Sequence, residues 1–162
     1  MKARSIAITL IVWLALMASL ACGNGDQGRF EQSGYTECSE CNLANADLRN
    51  LRYVDNVRVD LYWANLAKAN LSGANLNIAG LRRADLSGAD LSGANLTRAD
   101  LSGADLSGAN LTRADLSGAY LIGANLTDAD LTDADLAGAN LKYVIGADFT
   151  GAKNVPAKYL KN

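Results

Sequence analysis

The sequence predicts an all-β solenoid, a chain wound into stacked coils with short sides and repeated corners. Three observations predict it. A five-residue period runs from Val59 to Tyr143, reading ANLAK, ANLSG, ANLNI, AGLRR, ADLSG and onward. A fixed period of this kind sets architecture before any local argument does. Within each unit, Leu holds the third place from Leu61 to Leu141 without exception, and Ala holds the first place in every unit except at Val59. Places one and three lie two residues apart, so in an extended segment both point to one side. The fourth and fifth places are mostly pairs such as Ser-Gly or Thr-Arg, which read as a corner.

Each place of the unit has a physical reason. A helix face repeats every 3.6 residues and a strand face every 2, so a sustained period of five suits neither. Leu and Ala then face inward, and Ala is required because a larger side chain would meet the Leu layer across a narrow interior. The second place is Asn or Asp everywhere but Gly80 and Tyr120. These residues satisfy neighbouring backbone groups at corners. Gly at the fifth place tolerates positive φ, although Lys68, Arg83, Arg98, Arg113, Asp128 and Asp133 occupy the same slot.

The A(D/N)LXX pattern of residues 59–143 closely resembles the pentapeptide-repeat family. That resemblance implies a right-handed quadrilateral β-helix with four units per turn, closed by short terminal caps. Both ends of the run slip. Leu48 and Leu61 are thirteen residues apart, and Phe149 follows Leu141 by eight. Each slip reads as three added residues in a bulge or loop. Solenoid ends expose unpaired backbone and need covering. Tyr35 to Glu40 is the candidate N-terminal cap, and Val155 to Leu160 the C-terminal one.

The remainder divides by composition. Residues 1–21 read as a signal peptide, with Lys2 and Arg4 before an apolar run from Ile6 to Ala21. Ala-Ser-Leu-Ala-Cys resembles a bacterial lipoprotein lipobox, with Cys22 as the acylated residue. Ser19 and Leu20 stand where that pattern prefers Leu and a small residue. Residues 22–34 form a Gly-rich tether, 35–58 an N-terminal cap with irregular first repeats, and 144–162 the last repeat and C-terminal cap. The expected location is exported: the bacterial cell envelope, lipid-anchored through Cys22, or otherwise periplasmic or secreted.

Bulk properties narrow the function classes. The chain of 162 residues has no histidine and a formal net charge of −2. The commonest general base and metal ligand is therefore missing. A balance so near zero gives no argument for nucleic acid or an anionic membrane as a partner, and nucleic acid is not an expected one. Cys38 and Cys41 form a CxxC pair with no second pair and no His to complete a zinc shell. They read as a possible disulfide; no catalytic residue, metal or cofactor is expected. Asp85 should lie over Asp105, and Asp115 over Asp135, at the twenty-residue spacing of one turn. ADLSGADLSGANLTR fills 84–98 and again 99–113, which places Arg98 and Arg113 on different sides.

One side stands apart when units are sorted by four. It holds both departures from Asn/Asp, Gly80 and Tyr120. Tyr62, Trp63, Arg82, Arg83, Tyr120, Ile122 and Tyr143 form the candidate partner face. Aromatic residues with Arg are the composition of contact hot spots. The expectation is an envelope-located structural or protein-binding scaffold without catalytic activity. Its partners would be an envelope protein or a second copy, and the lipid bilayer through Cys22. The alternative comes from family members that mimic DNA and inhibit a type II topoisomerase. Residues 84–135 carry nine Asp against two Arg, which invites that comparison. Export argues against it, because that target is cytoplasmic.

Overall fold

The computed structural model describes residues 42–45, 49 and 59–160. The backbone pairs with itself at a separation of twenty residues. Parallel bridges join Asn65, Asp85, Asp105 and Asn125 in one column, and Asp60, Gly80, Asp100 and Tyr120 in another. A hydrogen bond closes a corner every five residues, from the first-place N–H to the preceding Leu carbonyl, as in Ala64 to Leu61 at 3.1 Å. Four sides therefore make one turn. The fold is a right-handed quadrilateral β-helix. Its sides are named below by their first leucines, Leu61, Leu66, Leu71 and Leu76. Successive coils begin at Val59, Ala79, Ala99, Ala119 and Ala139.

The unit Ala84–Gly88 shows why the pattern folds this way. The Ala84 N–H donates to the Leu81 carbonyl at 3.2 Å, closing the previous corner. Asp85 donates down to Ala64 at 2.9 Å, and Leu86 donates up to Asp105 at 2.7 Å. Gly88 donates up to Ser107 at 2.8 Å. The Ser87 N–H alone has no backbone acceptor, and Asp85 Oδ1 takes it at 3.0 Å. All five donors are satisfied, four by backbone and one by the second-place side chain.

Every fifth-place residue from Trp63 to Tyr143 has positive φ. With the carbonyl of the third place bonded to the N–H three residues on, this is the geometry of a type II turn. Gly enters it freely, but Lys68, Arg83, Arg98 and Arg113 enter it too, at φ between 55° and 59°. Ile78, at φ 54°, is the strained case, because a β-branched residue rarely adopts this conformation.

The core is two kinds of layer. Each Leu from Leu61 to Leu141 and each first-place Ala from Ala64 to Ala139 is buried, and no polar or charged residue is buried among the described residues. Side chains of the second, fourth and fifth places face outward or sit half-buried at the surface. Gly80, which is buried, is the one second place from Asp60 to Asn140 without a side chain to expose.

The two ends slip in opposite senses. Asn42 pairs with Asn65, a separation of 23 against the usual twenty, so the first turn holds three extra residues. Asp135 pairs with Lys153, a separation of 18, so the last turn is two residues short. The expected addition of three residues after Leu141 is thus corrected. Val144–Gly146 is a side cut to three residues, and Gly146 turns the corner early at φ 66°. A Cβ there would collide with Thr127, coming within 2.8 Å of its Cα, so the early corner needs glycine. Ala147–Gly151 then resumes the motif, with the Thr150 N–H on Asp148 Oδ1 at 2.9 Å.

The C-terminal segment closes its end of the core. Pro156 precedes a 3₁₀ turn, Ala157–Tyr159. Phe149, Val155 and Tyr159 pack against the buried cluster, and the Phe149 and Tyr159 rings lie 6.2 Å apart. The N-terminal candidate, Tyr35 to Glu40, lies outside the described residues.

Candidate functional site

The column Asp60, Gly80, Asp100, Tyr120, Asn140 defines the Leu61 side. The fourth and fifth places that follow each of these residues share that side. Tyr62, Trp63, Arg82, Arg83, Tyr120, Ile122 and Tyr143 are therefore brought together on one side of the coil. Trp63 is 45% exposed, Tyr120 49% and Tyr143 74%, which makes this side the main apolar surface of the solenoid.

Its cations rest on rings rather than in close ion pairs. The Arg83 guanidinium lies 4.8 Å from the Trp63 ring centre, one coil away. Tyr62 meets Trp63 edge-on, with ring centres 5.7 Å apart. The Lys142 ammonium lies 5.5 Å from the Tyr143 ring. Arg82 Nε sits 3.8 Å from Asp100 Oδ2, a loose and exposed pair. The Arg83 stem lies over Gly103, whose absent side chain leaves room for it. These contacts pre-order aromatic and cationic groups while leaving guanidinium donors facing outward.

One further exposed apolar residue escaped the sequence reading, Ile145 at 58%, and Leu160, the last residue of the candidate C-terminal cap, is 55% exposed. Ile145 occupies a second place on the Leu66 side, where it pairs with Asn125. It could have been found by carrying the motif past Tyr143, since it is another apolar departure from Asn/Asp.

The carboxylates lie mainly on the other sides. Asp85 pairs with Asp105, and Asp115 with Asp135, as the spacing predicts. Their Oδ1 atoms are occupied by corner N–H groups, as in Asp105 with Ser107 at 3.0 Å and Asp135 with Ala137 at 2.9 Å. Amides interleave with them: Asn125 Nδ2 donates to Asp105 at 3.1 Å and Asn110 Nδ2 to Asp90 at 3.2 Å. Hydrogen bonds from the Ser117 hydroxyl and N–H and from Thr97 outweigh burial and hold the Asp115 carboxyl below its usual range. Thr132 does the same for Asp130. The Lys153 ammonium, 2.9 Å from Asp133 Oδ1, lowers that carboxyl by hydrogen bonding and charge, and Arg113 adds to it. Among the described residues no group of three or more Cys, Asp or Glu could hold a metal ion. Arg98 and Arg113 fall on the Leu76 and Leu71 sides respectively. Cys22, Cys38 and Cys41 lie outside the described residues.

Sides, corners and the absence of a reaction-ready cluster among the described residues define a solenoid that presents surfaces. The model described as pentapeptide repeats (8 copies) matches residues 57–93, 79–118 and 109–153. The chain belongs to the pentapeptide-repeat family. It is similar to the crystal structure of Rfr23, a pentapeptide-repeat protein from the cyanobacterium Cyanothece 51142. That match is 34% identical, has a TM-score of 0.65, and covers 74% of this chain and 92% of Rfr23. HetL from the cyanobacterium Nostoc sp. strain PCC 7120, a protein involved in heterocyst differentiation regulation, is 44% identical. It covers 67% of this chain and 46% of its own, with a TM-score of 0.48. QnrB1, a plasmid-mediated fluoroquinolone resistance protein, is 21% identical with a TM-score of 0.34, covering 65% of this chain and 61% of its own. No curated protein sequence matches the chain.

Proposed function

We propose that this protein is an exported, lipid-anchored scaffold of the bacterial envelope that binds a protein partner through its Leu61 side. The observation that carries the reading is the gathering of Tyr62, Trp63, Arg82, Arg83, Tyr120, Ile122 and Tyr143 on that side, with Ile145 on the Leu66 side as the exception. A solenoid under no selection for contact would scatter them around its turn. The anchor reading is supported by Lys2, Arg4, the apolar run to Ala21 and Cys22. Acylated N-terminal Cys22 in mass spectrometry of the mature chain is the expected result; an unmodified Cys22 would leave a soluble exported protein.

The repeat itself supplies the test of the contact side. Deleting 84–98 removes fifteen residues and rotates everything after it by three sides. Tyr120, Ile122 and Tyr143 then leave the Leu61 side while every one of them is retained. Deleting 84–103 removes twenty residues and keeps the alignment. Both should fold, but only the second should retain envelope partners in cross-linking. Equal retention by both would refute a continuous contact side. Within the intact chain, Trp63→Ala or Arg83→Ala should weaken binding by about 1–2 kcal/mol, and Ser92→Ala should do nothing measurable.

A second reading, inhibition of a type II topoisomerase by DNA mimicry, draws on the carboxylates of residues 84–135. It requires a cytoplasmic protein. Fractionation that finds the chain in the cytoplasm, with inhibition of supercoiling by the purified protein, would replace the scaffold reading.

A further inference from the structure

The side opposite the contact side is its chemical complement. On the Leu71 side the second and fifth places carry Asp90, Arg113, Asp130, Asp133 and Asp148, with only Ser and Thr at the fourth place. The Leu61 side carries Asp60, Arg82, Arg83, Asp100 and Lys142. One side thus has three cations against two carboxylates, and the opposite side has four carboxylates against one cation of its own, with Lys153 reaching Asp133 from the neighbouring side.

The order along the axis sharpens the match. Opposite sides of a four-sided turn run in opposite directions. When one copy is translated onto another, the second-place column of one side therefore faces the fifth-place column of the other. With the copies parallel and level, Arg83 in the second coil meets Asp90. In the third coil, Asp100 meets Arg113. In the fifth coil, Lys142 lies toward Asp148. In the fourth coil, the Tyr120 hydroxyl can donate to Asp133, and in the first, Asp60 meets Gly73. No like charges coincide. The antiparallel arrangement sets second place against second and fifth against fifth, with the first coil of one copy on the fifth of the other. It keeps one match, Arg83 with Asp133, but sets Asp60 against Asp148, leaves Asp100 facing Asn110 and leaves Lys142 facing Ser72.

We propose that the Leu61 side docks on the Leu71 side of a second copy, so that anchored copies stand in parallel rows. This rests on the reading of the Leu61 side as the contact side and of Cys22 as the anchor, and it names the partner. The contact is heterologous and repeats by translation, so it does not close at a dimer. A side spans about 10 Å by about 24 Å, from three residue steps and five coil spacings. That footprint is well below the roughly 800 Å² per partner of a stable interface. Rows therefore form where anchoring and common orientation raise the effective concentration, and not in dilute solution. Parallel axes are what attachment of every copy through the same N-terminal residue to one membrane provides.

The experiment uses the full acylated chain on zwitterionic phosphatidylcholine vesicles. Arg83→Cys and Asp90→Cys are combined in one chain. These positions lie on opposite sides of a copy, so a bond between them joins two copies. Oxidation should give an open ladder of dimers, trimers and longer species that shortens as salt is raised. Asp100→Arg or Arg113→Asp alone should cut the ladder about tenfold by opposing like charges. The double reversal should restore it to within about twofold. Circular dichroism checks that each variant is folded. Products that stop at a dimer with Arg83→Cys alone would overturn the row, since like sides would then face each other. So would a double reversal no better than either single change, or a Leu61 side buried against the vesicle surface with no ladder. If the chain does not float with vesicles, the anchor reading fails separately. The same variants held on nickel-chelating lipid by an N-terminal histidine tag then test the row, and no ladder there refutes it.

Discussion

The second place of each unit has to supply an acceptor that the backbone lacks. Asn and Asp do so through Oδ1, which takes the fourth-place N–H at about the same length in every coil, 3.1 Å at Asn65 and 2.9 Å at Asp135. Tyr120 cannot, because its only polar atom lies at the far end of a ring. Tyr120→Asn should therefore raise stability by about 1 kcal/mol, read as a higher thermal midpoint, while weakening contact through the Leu61 side. Stability and binding would move in opposite directions at one residue, as expected where a motif is broken for function. The carboxylates add a dependence on pH. Asp115, Asp130 and Asp133 have folded pKa values held below the usual carboxylate value. Such groups favour the folded state above the unfolded pKa of about 3.9, and that contribution is lost as pH falls through the lowered folded values. The thermal midpoint should be level near neutrality and fall below about pH 4. Asp115→Asn keeps the corner acceptor, so it should flatten part of that slope without removing the corner.

A single side tolerates change on its outward places and resists it on its inward ones. Leu101 and Ala104 are buried, at 0% and 1% exposure, while Ser102 lies at the surface. Leu101→Asp buries a charge with no partner, and Ala104→Phe overfills a layer with no room to relax. Each should lower the denaturant midpoint sharply, and Ser102→Asp should barely move it. These assignments were legible in the residues themselves, because the alternation of Ala and Leu marks inward places and the Asn/Asp column marks corners. The gathering of Tyr62, Trp63, Arg83 and Tyr120 on one side was legible too, once four units per turn was taken from the family. The shortened side at Val144–Gly146 was not. Eight residues from Leu141 to Phe149 fit either one lengthened side or two sides lacking two residues, and spacing alone does not separate them. The pairing of Asp135 with Lys153, which decides it, exists only in three dimensions, as does the close approach of Thr127 that requires Gly146. Nor does a sequence show that Arg83 lies over Trp63, since they are twenty residues apart and meet through the pitch of the coil.

At the scale of the whole molecule, each coil is bonded only to the coils before and after it. The bonds between coils, such as Leu66 to Asp85 and Leu86 to Asp105, at 2.7 Å each, point along the axis. A pull between the tether and the C-terminus therefore does not shear many bonds together; it opens them one after another, like a zipper drawn from its end. Twenty residues freed from a coil span about 65–70 Å when straight, against the roughly 5 Å they occupied in the stack. Single-molecule stretching from residue 22 to residue 162 should show a low, nearly even force and a lengthening in steps of about 60 Å. A single high-force rupture would mean that the coils fail together. If they do open in turn, the rod is an extensible link, able to lengthen several-fold under load and rewind when the load is gone.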